Sequence, residues 1–413
     1  MGIFSSSAAK APVEVNWKLN LAVIWFSQIV AHCAMSFALP FIPLYMRWRF
    51  HLENEAERGV YVAMFEFFGL MTFCISNPIW GALADRYGRK IMLLRAYFLN
   101  GITIPLMMVA PSVSWLIAVR ALVNLFSGTI SASQALVVTT TPEKYHGFAL
   151  GTLSTALWSG TVLGLLGGGM VVHFYDYNVA FITCGVMLFF SGLTTLLFAR
   201  ENFVVPAPKP VTGNVAPTGK KKVFTAAILS LMALLCLLAM ARRMDVPFLP
   251  MLVEIIGGVK DAELHTSHIS ALAAVGGILS GLTFGALSDR LPARKLALPA
   301  LALAGAATLC EAQTDSLVLL AIFRFLCFFA AGGLEPVVLS RLSRITAGEH
   351  RGVVLGWSGS VRVLGNLGGA GVTGIVVTRL GTRGVFAAAG IFMLLLIPVC
   401  LKVLPPERGG KRS

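Results

Sequence analysis

Four short motifs in this chain occur twice, each pair about 205 residues apart, and all lie in apolar sequence. Leu39-Pro40-Phe41-Ile42-Pro43-Leu44 returns as Val246-Pro247-Phe248-Leu249-Pro250-Met251, and Gly81-Ala82-Leu83-Ala84-Asp85-Arg86 as Gly285-Ala286-Leu287-Ser288-Asp289-Arg290. Arg120 returns as Arg324, and Gly147-Phe148-Ala149-Leu150-Gly151 as Gly352-Val353-Val354-Leu355-Gly356. A register that drifts so little implies two copies of one unit. Duplicated membrane bundles hold a small-molecule site between halves that rock against each other.

The medium is set by composition. Residues are 56% hydrophobic and 13% charged, whereas about a quarter of a soluble domain is charged. Apolar runs recur at about 19–46, 59–82, 91–110, 114–138, 148–172, 178–199, 223–253, 264–286, 295–311, 316–340, 352–378 and 384–404. Each can cross a hydrocarbon layer of about 30 Å as a helix, the form that satisfies backbone amides within their own segment. The reading is an all-α membrane protein with twelve transmembrane helices in two pseudo-symmetric six-helix bundles. One bundle spans 1–199 and the other 223–413, joined by a cytoplasmic linker at 200–222 rich in proline and lysine.

The formal charge of +14 belongs to the membrane, with no nucleic acid required. With the N-terminus inside, alternation of the spans puts most of the 33 Lys and Arg in cytoplasmic segments. This positive-inside bias puts both termini on the cytoplasmic side, with basic residues facing lipid headgroups. No cleavable signal peptide is expected from the polar start. The seven cysteines sit in spans without metal or disulfide spacing, so no metal and no cofactor is expected. A monomer is expected.

The loop Gly81-Ala82-Leu83-Ala84-Asp85-Arg86-Tyr87-Gly88-Arg89-Lys90 reads as a charged latch. Asp85 suits a neighbouring helix N-terminus and Arg89 a nearby acid; Asp289 and Arg290 belong to the second copy. The segment resembles the signature loop of the major facilitator superfamily, and the resemblance covers essentially the whole chain. Asn16-Trp17-Lys18-Leu19-Asn20-Leu21, Pro40-Phe41-Ile42-Pro43-Leu44-Tyr45 and Ala149-Leu150-Gly151-Thr152-Leu153-Ser154 are similar to the MdtG-like branch of its drug:proton antiporters. That resemblance implies twelve helices, alternating access and multidrug efflux driven by protons. Two departures stand out. Pro292 replaces a glycine in the second loop, and Leu165 replaces the proline of the fifth-span antiporter motif, within Gly160-Thr161-Val162-Leu163-Gly164-Leu165-Leu166-Gly167-Gly168. Gly160, Gly164, Gly167 and Gly168 still permit close helix packing.

Ionisable residues inside spans carry the chemistry by default. Glu66, among Phe65, Phe67 and Phe68, suits a group loaded and unloaded with a proton, as does Asp245, with Arg120 tuning the carrier. Arg120 matches the arginine of the family's fourth-helix motif, although Val123-Asn124 departs from it. Glu66, His32, Arg242, Arg243, Arg324, Glu335 and Arg362 are the candidate substrate-binding set. Arg242 and Asp245, three apart on a helix, are expected to pair and leave Arg243 facing the cavity. Arg362 is expected to meet Glu335 or Glu66.

The leading reading is a proton-coupled exporter of small amphipathic compounds. The second is a dedicated exporter of an organic anion, such as a carboxylate siderophore or acidic metabolite, motivated by five intramembrane arginines. A lipid flippase is a weaker third, and a non-transporting receptor lacks a signalling domain. No nucleophile–base pairing or phosphate loop supports an enzyme.

Overall fold

The computed structural model describes residues 15–201, 203, 224–288, 291–347 and 350–404. Apart from Arg200, Glu201 and Phe203, the linker lies outside the described residues, and so do Asp289 and Arg290. All regular structure described is helical. In chain order come α1 (Trp17–Ala38), α2 (Ile42–Phe50), α3 (Glu55–Tyr87), α4 (Arg89–Thr103) and α5 (Val113–Leu125). They are followed by α6 (Thr129–Thr140), α7 (His146–Phe174), α8 (Tyr177–Phe198), α9 (Ala226–Met244) and α10 (Leu249–Gly257). The last are α11 (Ala262–Ser288), α12 (Ala293–Gln313), α13 (Leu317–Gly332), α14 (Leu334–Ile345) and α15 (Arg351–Val403).

The written repeat is a repeat in space. Pro40 and Pro247 each take an early position of a 3-10 turn, Leu39–Phe41 and Val246–Phe248, that joins α1 to α2 and α9 to α10. Proline cannot donate to the preceding turn, so each long rod bends at the same point. Gly128, at φ 119°, divides α5 from α6, and Gly333 divides α13 from α14 at the matching place.

Among the described residues, ten helical segments are long and apolar enough to cross a membrane, against the twelve expected. Two causes account for the difference. The third span, α4 with the 3-10 turn Ile104–Met107 that follows it, is short and less apolar, carrying Arg89, Lys90 and Arg95. The eleventh and twelfth are fused in α15, whose one non-helical residue is Gly381 at φ 66° and ψ −172°. A side chain is strained at that φ, and a Cβ there would lie 2.9 Å from Glu55 Oε1. The Thr382 amide donates to the same carboxylate at 2.5 Å, so an acid of the first half holds the corner of the last helix.

Large apolar side chains such as Ile75, Phe190, Leu197, Leu282, Ile375 and Leu395 remain exposed around the outside, as a lipid-facing surface requires. Inside, α7 lies against α1 without intervening side chains. A Cβ on Gly160, Gly164 or Gly168 would run into the carbonyl oxygens of Ile29, Cys33 and Phe37 in turn, while one on Gly167 would meet the Phe37 ring. Backbones can approach this closely only where Cβ atoms are absent. Leu165, in place of the antiporter proline, leaves α7 continuous.

Gly164→Val will therefore destabilise the protein by about 1–3 kcal/mol, the range for overpacking a close contact. Gly151→Ala on the same helix, with nothing within 4 Å of its Cβ, will not. Thermal unfolding of the purified protein in detergent reads the difference.

Candidate functional site: a charged cavity between the halves

Two ends of the bundle are fixed by contacts. At the basal end, Trp17 stacks on Tyr145 with centroids 4.9 Å apart, and Asn20 joins Thr140 and the Arg200 amide at 3.0 and 2.9 Å. At the opposite, apical end, the halves are clamped together. Glu254 of α10 accepts from Arg47 at 2.5 Å and from Arg58 twice at 3.0 Å. Arg58 is 2% exposed, so its charge depends on that carboxylate. Tyr177 donates to Glu263 at 2.6 Å, and His173 lies 3.6 Å from Asp261.

Among the described residues, the contact continues to the middle of the bundle and stops there. Gly374 and Gly371 of α15 face Ala63 and Phe67 of α3, and Gly277 of α11 faces the Trp158 ring of α7. Nearer the basal end, Gly81, Gly147, Gly151, Gly281, Gly356 and Gly359 have nothing within 4 Å of a Cβ position. The halves thus meet apically and part basally, a conformation open at the basal end.

Between them lies a cavity of about 430 Å³. Its walls are Pro40, Pro43, Pro247 and Pro250 of the two bends, with Met35, Phe65, Trp158, Leu165 and Phe328. Its polar groups include Glu66, Arg120, Asn124, Arg243, Thr266, Ser270 and Arg324. An apolar chamber with a few convergent charges is the usual form of a small-molecule site. The proline bends are what bring α1 and α9 side chains to it.

Glu66 stands between two arginines from different halves. Arg120 of α5 donates to Oε1 at 3.3 Å, and Arg243 of α9 donates to Oε2. Arg120 also lies 5.0 Å from the Phe65 ring centroid. Phenylalanines do flank Glu66, but two guanidiniums dominate its surroundings. Removing a charge from water is costly unless it is paired, and Glu66 meets that cost for both halves at once.

The expected Arg242–Asp245 pair is not formed. Asp245 caps α9 with αR backbone (φ −90°, ψ −25°) where the chain enters its 3-10 bend, and its side chain turns away from Arg242 towards α13. It is 2% exposed and instead accepts from Arg324 of α13. Arg324, 1% exposed, also donates to Glu311 of α12 at 3.0 Å. Arg242 is held at 3.3 Å by Glu335 of α14, whose other oxygen accepts from Arg362 at 3.3 Å, as one of the two expected pairings had it.

Arg242, Glu335, Arg362 and His32 do not line the cavity. The first three form their own cluster among α9, α14 and α15. His32 is packed into the α1–α7 contact, its Cβ 2.8 Å from the Cβ position of Gly160. Arg243, Glu66, Arg120 and Arg324 do line it.

At the basal loop, Asp85 is largely exposed and faces Arg89 at 3.6 Å, not a helix N-terminus. Arg86 lies over the Tyr87 ring at 5.5 Å. Glu201 caps α4 instead, accepting from the Arg89 and Lys90 amides at 2.9 and 2.8 Å. It follows directly on α8 and reaches these free N–H groups past Gly88, whose φ of 97° opens the turn.

Four ionisable residues escaped the sequence reading. Glu311 and Glu254 sit at the limits of their spans, and Glu263 just outside one. Arg95, inside the third span, stacks on Trp80 at 3.4 Å and donates to the carbonyls of Phe126 and Ser127 at 3.2 and 3.0 Å, ending α5. The signal for Arg95 was present: an arginine in an apolar run needs an acceptor.

A helical membrane bundle of two repeated halves, with paired charges around a cavity between them, is the form of a secondary transporter. The Major Facilitator Superfamily model matches residues 24–259 and 231–413, and the chain belongs to that family. It is 31% identical over 383 residues to the multidrug resistance protein MdtG of Salmonella paratyphi B, covering 92% of this chain and 94% of the relative. The MdtG of Klebsiella pneumoniae is 29% identical over 405 residues, covering 96% of this chain and 97% of that one. Among solved structures, a bacterial homologue of the human lysosomal transporter Spinster, inward-facing and occupied, superposes with a TM-score of 0.74 at 14% identity, over 93% of this chain and 96% of that one. The chain is a multi-pass membrane transporter and not an enzyme.

Glu254→Gln will leave Arg58 buried without a carboxylate and lower stability by about 3–5 kcal/mol, the cost of breaking a buried pair. Adding Arg58→Gln will recover part of that loss. A double-mutant cycle on thermal unfolding checks both.

Proposed function

We propose that this transporter exports small amphipathic compounds across a bacterial cytoplasmic membrane, driven by inward proton movement, with the basal end and both termini cytoplasmic. The observation that carries the proposal is the cavity shared by the two halves, in which Glu66 joins Arg120 to Arg243. Residues 1–199 and 223–413 act as the two moving bodies of a monomer, tethered by 200–222. The open basal end loads cargo; parting of the Glu254 clamp, with closure at the other end, releases it. In the alternate state the loop of Gly81, Asp85, Arg86, Gly88 and Arg89, with Asp289 and Arg290 of its second copy, latches the basal ends. The 31% identity with a multidrug resistance protein over nearly the whole chain supports this cargo class, and the apolar walls with few polar groups suit guests recognised by shape and charge.

One observation favours the second reading, export of an organic anion. Among the described residues, three arginines but only one carboxylate line the cavity, and a guanidinium binds carboxylate, phosphate or sulfonate well.

Everted membrane vesicles separate the two. Substrate-induced proton release with lipophilic cationic dyes is the expected result, and none across a broad panel would contradict proton-coupled export. Arg243→Ala that abolishes transport of aromatic carboxylates while dye transport persists would establish the second reading.

A further inference from the structure

The three intramembrane clusters do not balance alike. Arg120 and Arg243 share one carboxylate, and so do Arg242 and Arg362. Around Arg324 the ratio is reversed: one guanidinium meets two carboxyl groups, Asp245 and Glu311. All three side chains are almost wholly buried, at 1%, 3% and 0% exposure. With both acids ionised this cluster would hold an uncompensated negative charge out of water, which costs several kcal/mol on general grounds; like charges on neighbouring carboxyls are relieved by one proton. The second observation concerns the hydrogen bonds. Glu311 Oε2 accepts from Arg324 at 3.0 Å, while Oε1 is buried without any partner. Left without a partner, an ionised oxygen at this place costs more than a neutral hydroxyl does, because an unsatisfied buried charge is the heavier penalty.

The groups facing Glu311 are few. From α13 come Arg324 and the Cys327 thiol, which is 3.2 Å from the Thr308 hydroxyl. From the end of α9 comes Asp245. The last part of α15 contributes the Phe386 ring, 5.7 Å from the Arg324 guanidinium. Its Arg383 is engaged elsewhere, with the Ala312 carbonyl at 3.4 Å and Asp315 at 2.5 Å. Hence, among the described residues, no second cation pairs with the extra acid. The cluster also has a route outward, since Arg324 lines the central cavity beside Phe328.

We infer that Glu311 is a proton-binding site of this transporter, holding the one proton that the Asp245–Arg324–Glu311 cluster needs. This rests on the proton-coupled reading above and moves the carrier away from Glu66, whose carboxylate is already shared by two arginines. The step is a simple protonation: a Glu311 carboxylate oxygen takes a proton from water in the cavity, the cluster becomes neutral, and the proton returns to water when the cavity opens to the other side. Without the proton the cluster carries one negative charge next to the cavity, so occupancy by a proton and occupancy by a cationic guest oppose each other.

Infrared spectroscopy of the purified full-length protein tests this without any cargo, by the carbonyl stretch of a buried carboxylic acid. At neutral pH the band is expected in the native protein and in Glu66→Gln, and absent in Glu311→Gln. It is also expected to vanish in Asp245→Asn, where one acid and one arginine balance without a proton. Because a coupling proton must leave, the native band must disappear reversibly as pH rises. No band in the native protein, a band that persists in Glu311→Gln, or one that survives to strongly alkaline pH would overturn the assignment. Failure of proton-coupled export as such is read separately, by absent proton release in vesicles of the native protein.

Discussion

A charge inside a membrane bundle has to be neutralised by a neighbour, and here the decisive neighbour is Glu66. Its two oxygens take one guanidinium from each half, Arg120 from α5 and Arg243 from α9. The rest of the interior follows from what that bridge demands. The halves must come close enough at mid-depth to share a carboxylate, which the small residues along α3 and α15 permit. The long first and seventh rods must bend at Pro40 and Pro247, so that Arg243 ends beside a chamber instead of in lipid. The bridge is strong only while water is excluded, and each pair between halves is therefore a lock with a defined closed state.

The apical contacts are of the same kind. Glu254 serves Arg47 and Arg58, and Glu55 holds the backbone at the Gly381 corner. Both reach across from one half to the other. Packing within each half is different in character, with α7 resting on α1 through glycines and apolar side chains filling the remainder. Apolar packing resists rearrangement, whereas a few ion pairs can exchange partners or water at modest net cost. That contrast between apolar packing within each half and a polar seam between them is what the proposed motion of one half against the other would use.

Much of this was legible in the residues. The Pro-Phe-x-Pro repeat became matching bends, and Arg120, Arg243 and Arg324 reached the cavity. Periodicity failed at Asp245 because helical spacing shows which neighbours share a face but not that a more deeply buried partner, Arg324 of α13, stands on the other side. Glu311 and Glu254 were missed at the margins of their apolar runs, since hydropathy marks where a run fades but not whether its last acid points inwards. Glu201 was hidden for another reason: it belongs to a linker by composition, yet its carboxylate caps α4 through a contact 112 residues away in sequence. Contacts between distant segments leave no local pattern.

In the proposed cycle the two halves exchange between apically closed and basally closed arrangements around one chamber. Pulsed spin-label distances measure it most directly, with one pair introduced by Glu53→Cys and Val259→Cys at the apical end and another by Gly151→Cys and Gly356→Cys at the basal end, all at exposed positions. Two populations are expected across a pH series in liposomes: when the apical distance is short the basal one is long, and the reverse. A single fixed distance for both pairs, or distances that lengthen and shorten together, would contradict that exchange.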